Sequence, residues 1–276
     1  MNTNSNTYTV IYTALVVVVV AALLAFVSQL LGPMQAANDK AETISQILTA
    51  AQFGEKESWA EKGNAATIEF YKQNVEKIQL VNENGQVVSE LDPADAAVLS
   101  TAELKKQNYA IAGKGGEIAL PVYTFNNGVS VVSIYGQGLW GPVWGYIAFQ
   151  NGTTNIIGAY FDHESETPGL GGKIKDDPSF RGQFAGKVVD YSAAKPFDIV
   201  KGGAPAGQAN AIDAITGATM TSKYLNIAIN NWLEAYKAAL SSAEECCGEC
   251  CHKCECGEGE CCGGEDCCCE NHTEEE

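Results

Sequence analysis

Apolar and polar positions alternate differently in successive parts of the chain, and each pattern predicts a different kind of structure. Val10 to Val27 is an 18-residue apolar run interrupted only by Thr13, with five consecutive valines at Val16–Val20, and apolar character continues to Leu31. At about 1.5 Å of rise per residue, such a helix crosses the roughly 30 Å hydrocarbon core of a bilayer. No Lys or Arg precedes the run and its apolar core is long. Residues 1–31 are therefore read as a retained N-terminal transmembrane anchor rather than a cleaved signal peptide. The first charge after it is Asp39, so charge does not orient it.

Past Gly32-Pro33 the pattern changes to that of a water-soluble fold. Over 37–53, Ile44, Ile47, Leu48 and Ala51 fall on one helical face, and Gly54 closes the helix. A second, less regular helical stretch is expected over 55–73, around Trp59, Ile68 and Phe70. Val75–Val81 and Gln86–Ser89 flank Asn84-Gly85, a two-residue hairpin turn. A helix is expected near 97–106 and a loop at Gly113, Gly115 and Gly116, which completes a helical and hairpin subregion over 34–119. From residue 120 the strand signals become dense. Leu120–Phe125 and Val129–Tyr135 flank Asn127-Gly128, and Val143–Phe149 and Ile156–His163 flank Asn151-Gly152. Leu225, Ala228, Ile229, Trp232, Leu233, Tyr236 and Leu240 share one face of a last helix, with Thr221 and Ser222 as N-cap candidates. The fold class expected is α+β: a mostly antiparallel sheet with flanking helices, behind one N-terminal transmembrane helix, with a ligand-binding domain over 120–240.

Charge and cysteine placement sharpen this reading. The net charge of −17 argues against nucleic acid as a partner, since phosphate backbones attract Lys and Arg. From Glu244 onward there are twelve acidic residues against Lys253 alone, which leaves about six net negative charges on the rest. All eleven cysteines lie between Cys246 and Cys269. The folded part thus has neither thiol chemistry nor disulfides, and redox work there falls to a bound cofactor. The tail over 243–276 has no aliphatic side chains to bury a core, so disorder without a ligand is expected. Its CCxxCCxxCxC spacing at Cys246, Cys247, Cys250, Cys251, Cys254 and Cys256 fits no single zinc-finger frame. It reads either as a thiolate cluster for soft metals or as a solvated tail with variable disulfides.

Residues 213–222, DAITGATMTS, place Gly217, Ala218 and the Thr219 hydroxyl just ahead of a helix N-terminus. Free N–H groups and the helix dipole make such a place receptive to phosphate. Local physics leaves this open against a plain turn followed by a cap. Residues 135–145, YGQGLWGPVWG, read either as a tight turn with Trp140 and Trp144 in the core or as an opening that admits a flat ring beside Trp140. Residues 164–173, ESETPGLGGK, are too glycine-rich for core. They form either a surface loop or a backbone that closes over a ligand. Without a strand–GxGxxG–helix context, no dinucleotide site is expected.

Asp213, two residues, then Thr216, Gly217, Ala218 and Thr219 resemble the sequence at which a flavin transferase joins FMN to threonine through a phosphoester. Taken with YGQGLWGPVWGYIAF, FDHESETPGLGGKI and DIVKGG, the order and spacing over residues 8–240 are similar to the C-subunit family of Na+-translocating NADH:quinone reductases. The G subunit of the Rnf complex shares the ETPGLG and GAT segments and belongs to the same flavoprotein superfamily. The resemblance implies covalent FMN on Thr219, with Thr216, Gly217 and Ala218 around the ester and Asp213 in the signature that the transferase reads. It implies that Glu166, Thr167 and Leu170 contact the flavin, that Lys201 lies near its phosphate or ring, and that Trp140 bounds the pocket. It implies a complex of six subunits in the bacterial inner membrane, a soluble domain on the extracytoplasmic side, and electron relay from NADH to quinone coupled to Na+ export. NADH itself is bound elsewhere in such a complex. His163-Glu164-Ser165 and the long tail depart from the family pattern. The alternatives are an Rnf-type electron carrier and an anchored module that binds a non-redox ligand.

Overall fold

The computed structural model describes residues 6–250, with side chains through residue 241. Helix α1 runs Asn6–Ala50 without a break and contains Pro33. This differs from the separate helices expected on either side of Gly32-Pro33. The proline removes one donor and crowds the preceding turn, at a cost of about 3 kcal/mol. Continuing along the same axis avoids nucleating a second helix, which is the expensive step. Exposure changes at Ala41. Val10, Leu24 and Met34 face outward, whereas Ile44, Ile47 and Leu48 are fully buried. The helix is long and apolar enough to cross a membrane, by length and composition.

The less regular stretch after it is two helices, α2 (Lys56–Lys62) and α3 (Asn64–Asn74). They part at Gly63, whose φ of 81° an L side chain resists. Six strands follow: β1 (Val75–Val81), β2 (Val87–Leu91), β3 (Leu120–Phe125), β4 (Val129–Gln137), β5 (Pro142–Gln150) and β6 (Ile156–His163). They form one sheet in the order β2-β1-β3-β4-β5-β6, antiparallel at every pairing. Strands from before and after residue 120 thus share a single sheet. Between β2 and β3 lies α4 (Thr101–Ile111), later in the chain than the 97–106 expected. Ser100 fixes its start, because its side chain and that of Glu103 satisfy each other's backbone N–H groups in a capping box.

Both faces of the sheet are covered, as the two-residue period of its strands requires. Val131, Tyr146 and Ala148 face a core made with Ile44, Leu48, Trp59 and Tyr71. Their neighbours Val132, Ile147 and Phe149 face another made with Leu104, Leu225, Trp232 and Tyr236. The latter residues come from α4 and from α7 (Thr219–Cys250). Helix α7 lies so close to β4 that a Cβ on Gly136 would be 2.5 Å from Ala228 Cβ. Between β6 and α7 the chain makes α5 (Lys173–Asp176), α6 (Pro178–Gly182) and a parallel pair, β7 (Asp198–Val200) with β8 (Ala211–Asp213). The sequence pattern predicts none of these four short elements. The thiolate positions Cys246, Cys247, Cys250, Cys251, Cys254 and Cys256 lie outside the described side chains.

Candidate functional site

Strand β8 delivers the DAITGAT segment. Val200 pairs with Asp213, and the Ala214 N–H donates to the Val200 carbonyl at 2.9 Å. Lys201, the next residue on β7's side, therefore stands beside the start of the turn with its side chain exposed. Asp213 is braced at both ends: its N–H donates to Gln183 Oε1 at 2.9 Å, and its Oδ1 accepts the Ala204 N–H at 2.7 Å. The turn itself is held by Ala218 N–H to the Ile215 carbonyl at 3.1 Å, with Gly217 at φ 84°. That conformation is open to glycine and strained for a side chain.

Helix α7 then begins at Thr219, two residues before the expected caps. Ser222 is not an N-cap; its Oγ reaches back and accepts the Ile215 N–H at 3.1 Å. Thr221 is not one either, since its hydroxyl donates to Glu166 Oε2 at 2.6 Å. Both residues are buried. Thr219 is half-buried, and its hydroxyl has no hydrogen-bond partner among the described residues. Backbone acceptors are also lacking for the N–H groups of Thr219, Met220 and Thr221, as at any helix start. Thr216 and Gly217 are exposed beside them. The helix entrance thus sorts its hydroxyls: two are occupied by structure, and Thr219 is available.

Two glycine-rich segments close on this entrance. Glu166 follows β6, donates its N–H to His163 Nδ1 at 3.2 Å, and is only 3% exposed. Its Oε1 accepts the Trp140 backbone N–H at 2.9 Å while Oε2 takes the Thr221 hydroxyl. The Thr167 carbonyl accepts from Leu170 and Gly172, which curls the loop back. Leu170 comes to lie against Gly217, where a Cβ would be 3.2 Å from Leu170 Cδ2. Trp140 is 67% exposed, so it is not a core residue. Trp144 is the half-buried one, donating its indole N–H to Gln46 Oε1 at 3.2 Å. Leu139, Leu170 and Met220 are exposed apolar side chains on the same converging segments. Sequence reasoning missed Met220. Its signal was a methionine on the first turn of a helix whose core face is set by Leu225, Ala228 and Ile229.

This arrangement fits a phosphorylated flat-ring ligand such as FMN. The free N–H groups and the glycine at φ 84° suit a phosphate, and Lys201 supplies a cation nearby. The exposed Trp140, Leu170 and Met220 supply apolar surface for a ring. The structure brings together Trp140, Glu166, Thr167, Leu170 and the 216–219 turn, with Asp213 and Lys201 at its edge.

Comparison with known proteins agrees with the geometry. A family model described as an FMN-binding domain matches residues 138–234. The chain is 34% identical over 143 residues to the C subunit of the Na(+)-translocating NADH-quinone reductase of Vibrio anguillarum, covering 51% of this chain and 55% of that protein. It is likewise 34% identical over 170 residues to the C subunit of the Yersinia pestis reductase, covering 60% of each. The matched region thus spans little more than half the length of these curated relatives. The crystal structure of the C subunit of this reductase from Parabacteroides distasonis superposes with a TM-score of 0.62 at 30% identity, covering 75% of this chain and 96% of that one.

Proposed function

The chain belongs to the family of Na(+)-translocating NADH-quinone reductase C subunits, and from that premise we propose that it carries FMN as a phosphoester on Thr219. The observation that carries this reading is the sorting of hydroxyls at the start of α7, where Thr219 alone is half-buried and unbonded while Thr221 and Ser222 are committed. In forming the ester, Thr219 Oγ makes the new bond to phosphorus as a P–O bond of the transferase's flavin-phosphate donor breaks, and the departing oxygen takes up the threonine proton; net, the chain gains FMN less one water. A flavin transferase carries out the step, reading the signature that includes Asp213. Bound FMN supplies a centre that accepts electrons in pairs and releases them singly. The residues of the chain hold it. Thr216, Gly217 and Ala218 shape the turn around the phosphate, Lys201 offsets its charge, Trp140 and Leu170 bound the ring, and Glu166 and Thr167 shape the loop beside it.

In this role the chain is one of six subunits of an NADH:quinone reductase that exports Na+, with α1 crossing the bacterial inner membrane and the flavin domain on the extracytoplasmic side. The one candidate membrane helix among the described residues is too few to build an ion path, so the protein relays electrons and leaves NADH binding and Na+ conduction to its partners. The tail has a separate role, a thiolate site for a soft metal ion at Cys246, Cys247, Cys250, Cys251, Cys254 and Cys256. Eleven thiols within 24 residues support that reading.

The test uses full-length protein co-produced with a flavin transferase. Flavin fluorescence should survive denaturing electrophoresis in the wild type and in Thr221→Ala, and disappear in Thr219→Ala. Loss in Thr221→Ala with retention in Thr219→Ala would move the attachment to the wrong hydroxyl and overturn the reading.

A further inference from the structure

The carboxylate of Glu166 is more heavily engaged than any other side chain near the helix entrance. It is 3% exposed, yet it lies on a loop whose following residues, Thr167 to Leu170, are exposed. Its oxygens reach two other segments of the chain: Oε1 accepts the Trp140 N–H at 2.9 Å, and Oε2 accepts the Thr221 hydroxyl at 2.6 Å. Its own N–H is held by His163 Nδ1 at 3.2 Å. Space for the carboxylate comes from two glycines. A Cβ on Gly138 would be 2.6 Å from Oε1, and one on Gly171 would be 2.5 Å from both Oε2 and Thr221 Oγ1. Those distances are far inside van der Waals contact, so either position is open only because it is glycine.

These bonds join the three segments that make the seat. Trp140 belongs to the turn between β4 and β5, Glu166 to the loop after β6, and Thr221 to the first turn of α7. Among the described residues no other side chain hydrogen-bonds to both the turn and the helix. Trp140 is exposed, so packing does not fix its backbone, and the bond from its N–H to Oε1 does.

We infer that Glu166 is a positioning residue: its carboxylate ties the Trp140 turn to the first turn of α7, and so fixes the indole relative to Thr219. It acts through the backbone of Trp140 and the hydroxyl of Thr221 rather than through its own contact with the ring. The inference deepens the FMN reading, and rests on it for the claim that the indole is held for a flavin. The brace itself stands on bonds that exist without any ligand.

The test is hydrogen exchange by mass spectrometry on the full-length protein, compared across Glu166→Gln, Glu166→Ala and Thr221→Val. The Trp140 amide should be protected in the wild type and exchange at least about tenfold faster in Glu166→Ala, since a lost hydrogen bond of about 1.4 kcal/mol is a factor of ten. Glu166→Gln should keep the protection, because its amide oxygen can accept from Trp140 while its NH₂ donates to the Thr221 hydroxyl. Thr221→Val, which keeps the side-chain shape, should loosen the first turn of α7 and leave a smaller effect at Trp140. In protein carrying flavin, quenching of its fluorescence by iodide should rise about twofold or more in Glu166→Ala and stay near wild type in Glu166→Gln. Equal Trp140 exchange in wild type and Glu166→Ala overturns the brace, as does a Glu166→Gln variant as fast as Glu166→Ala. If Glu166→Ala does not fold, unchanged exchange in Thr221→Val of the Ser222 amide, which donates to the Ala218 carbonyl at 3.0 Å, overturns it instead. A chain that shows the brace by exchange but carries no flavin contradicts the FMN reading alone.

Discussion

Single atoms decide what the helix entrance can do. Gly217 combines φ 84° with a close approach to Leu170, so Gly217→Ala meets both backbone strain and a tight contact at 3.2 Å. The expected cost is about 1–2 kcal/mol, from the left-handed conformation of a residue with a Cβ. A lowered melting temperature with reduced flavin yield would show it; an unchanged melt would contradict it. Gly136 is a case of space alone, since its φ is ordinary and a Cβ would be 2.5 Å from Ala228 Cβ. Gly136→Ala should push α7 off β4 and cost about 1–3 kcal/mol by overpacking, measurable by denaturant unfolding. At this scale the small residues and hydroxyls of 216–219 mark a turn ahead of a helix, and it is the resemblance, not local physics, that singles out Thr219 there. The occupation of Thr221 and Ser222 was not legible, because their partners Glu166 and Ile215 are chosen by the tertiary fold. A threonine looks the same in sequence whether or not its hydroxyl is spoken for.

Elements were legible where their signals are local. The three Asn-Gly pairs each fell between strands, but in the longer loops 82–86, 126–128 and 151–155 rather than in two-residue turns, with positive φ at Gly85, Gly128 and Gly152 and not at the asparagines. Helix α4 starts later than the 97–106 expected because the Ser100–Glu103 capping box, a local signal present in the sequence, marks the true start. The parallel pair β7 and β8 could not be read, since three-residue strands have no period and their partner is remote in sequence. Helix α7 carries the largest commitment. Trp232 is fully buried and donates its indole N–H to Asn108 at 3.1 Å, so it joins α7 to α4. Trp232→Ala should cost about 3–5 kcal/mol and leave Asn108 unpaired, which chemical denaturation would report. A loss below about 1 kcal/mol would mean that α7 does not organise this face.

On the scale of the whole molecule, five fully buried phenols set how the fold responds to alkali. Burial pushes the Tyr123 hydroxyl up to about 12 and holds those of Tyr71, Tyr146, Tyr160 and Tyr236 well above the usual 10.0. Below about pH 10 both folded and unfolded chains keep these protons, and their contribution to stability is intact. As pH rises through 10 toward 12 and beyond, the unfolded chain releases protons that the folded chain retains, so stability falls. The slope should approach about 1.4 kcal/mol per pH unit for each phenol ionised only in the unfolded chain. Melting temperatures that stay level past pH 11 would contradict this. The tail makes a prediction of the opposite kind: truncation after Leu240 should leave flavin content unchanged and abolish bound soft metal, measured by elemental analysis. Sheet order was hidden from the sequence, since each hairpin is a local event while the placing of β1 beside β3 is decided by two buried faces at once. The account rests most heavily on Thr219, and the most direct test is peptide mapping of full-length protein made with a flavin transferase. The peptide containing Thr219 should carry the mass of FMN less one water, with fragment ions placing it on Thr219. An unmodified Thr219 in protein that holds flavin elsewhere, or releases it on denaturation, would contradict the account.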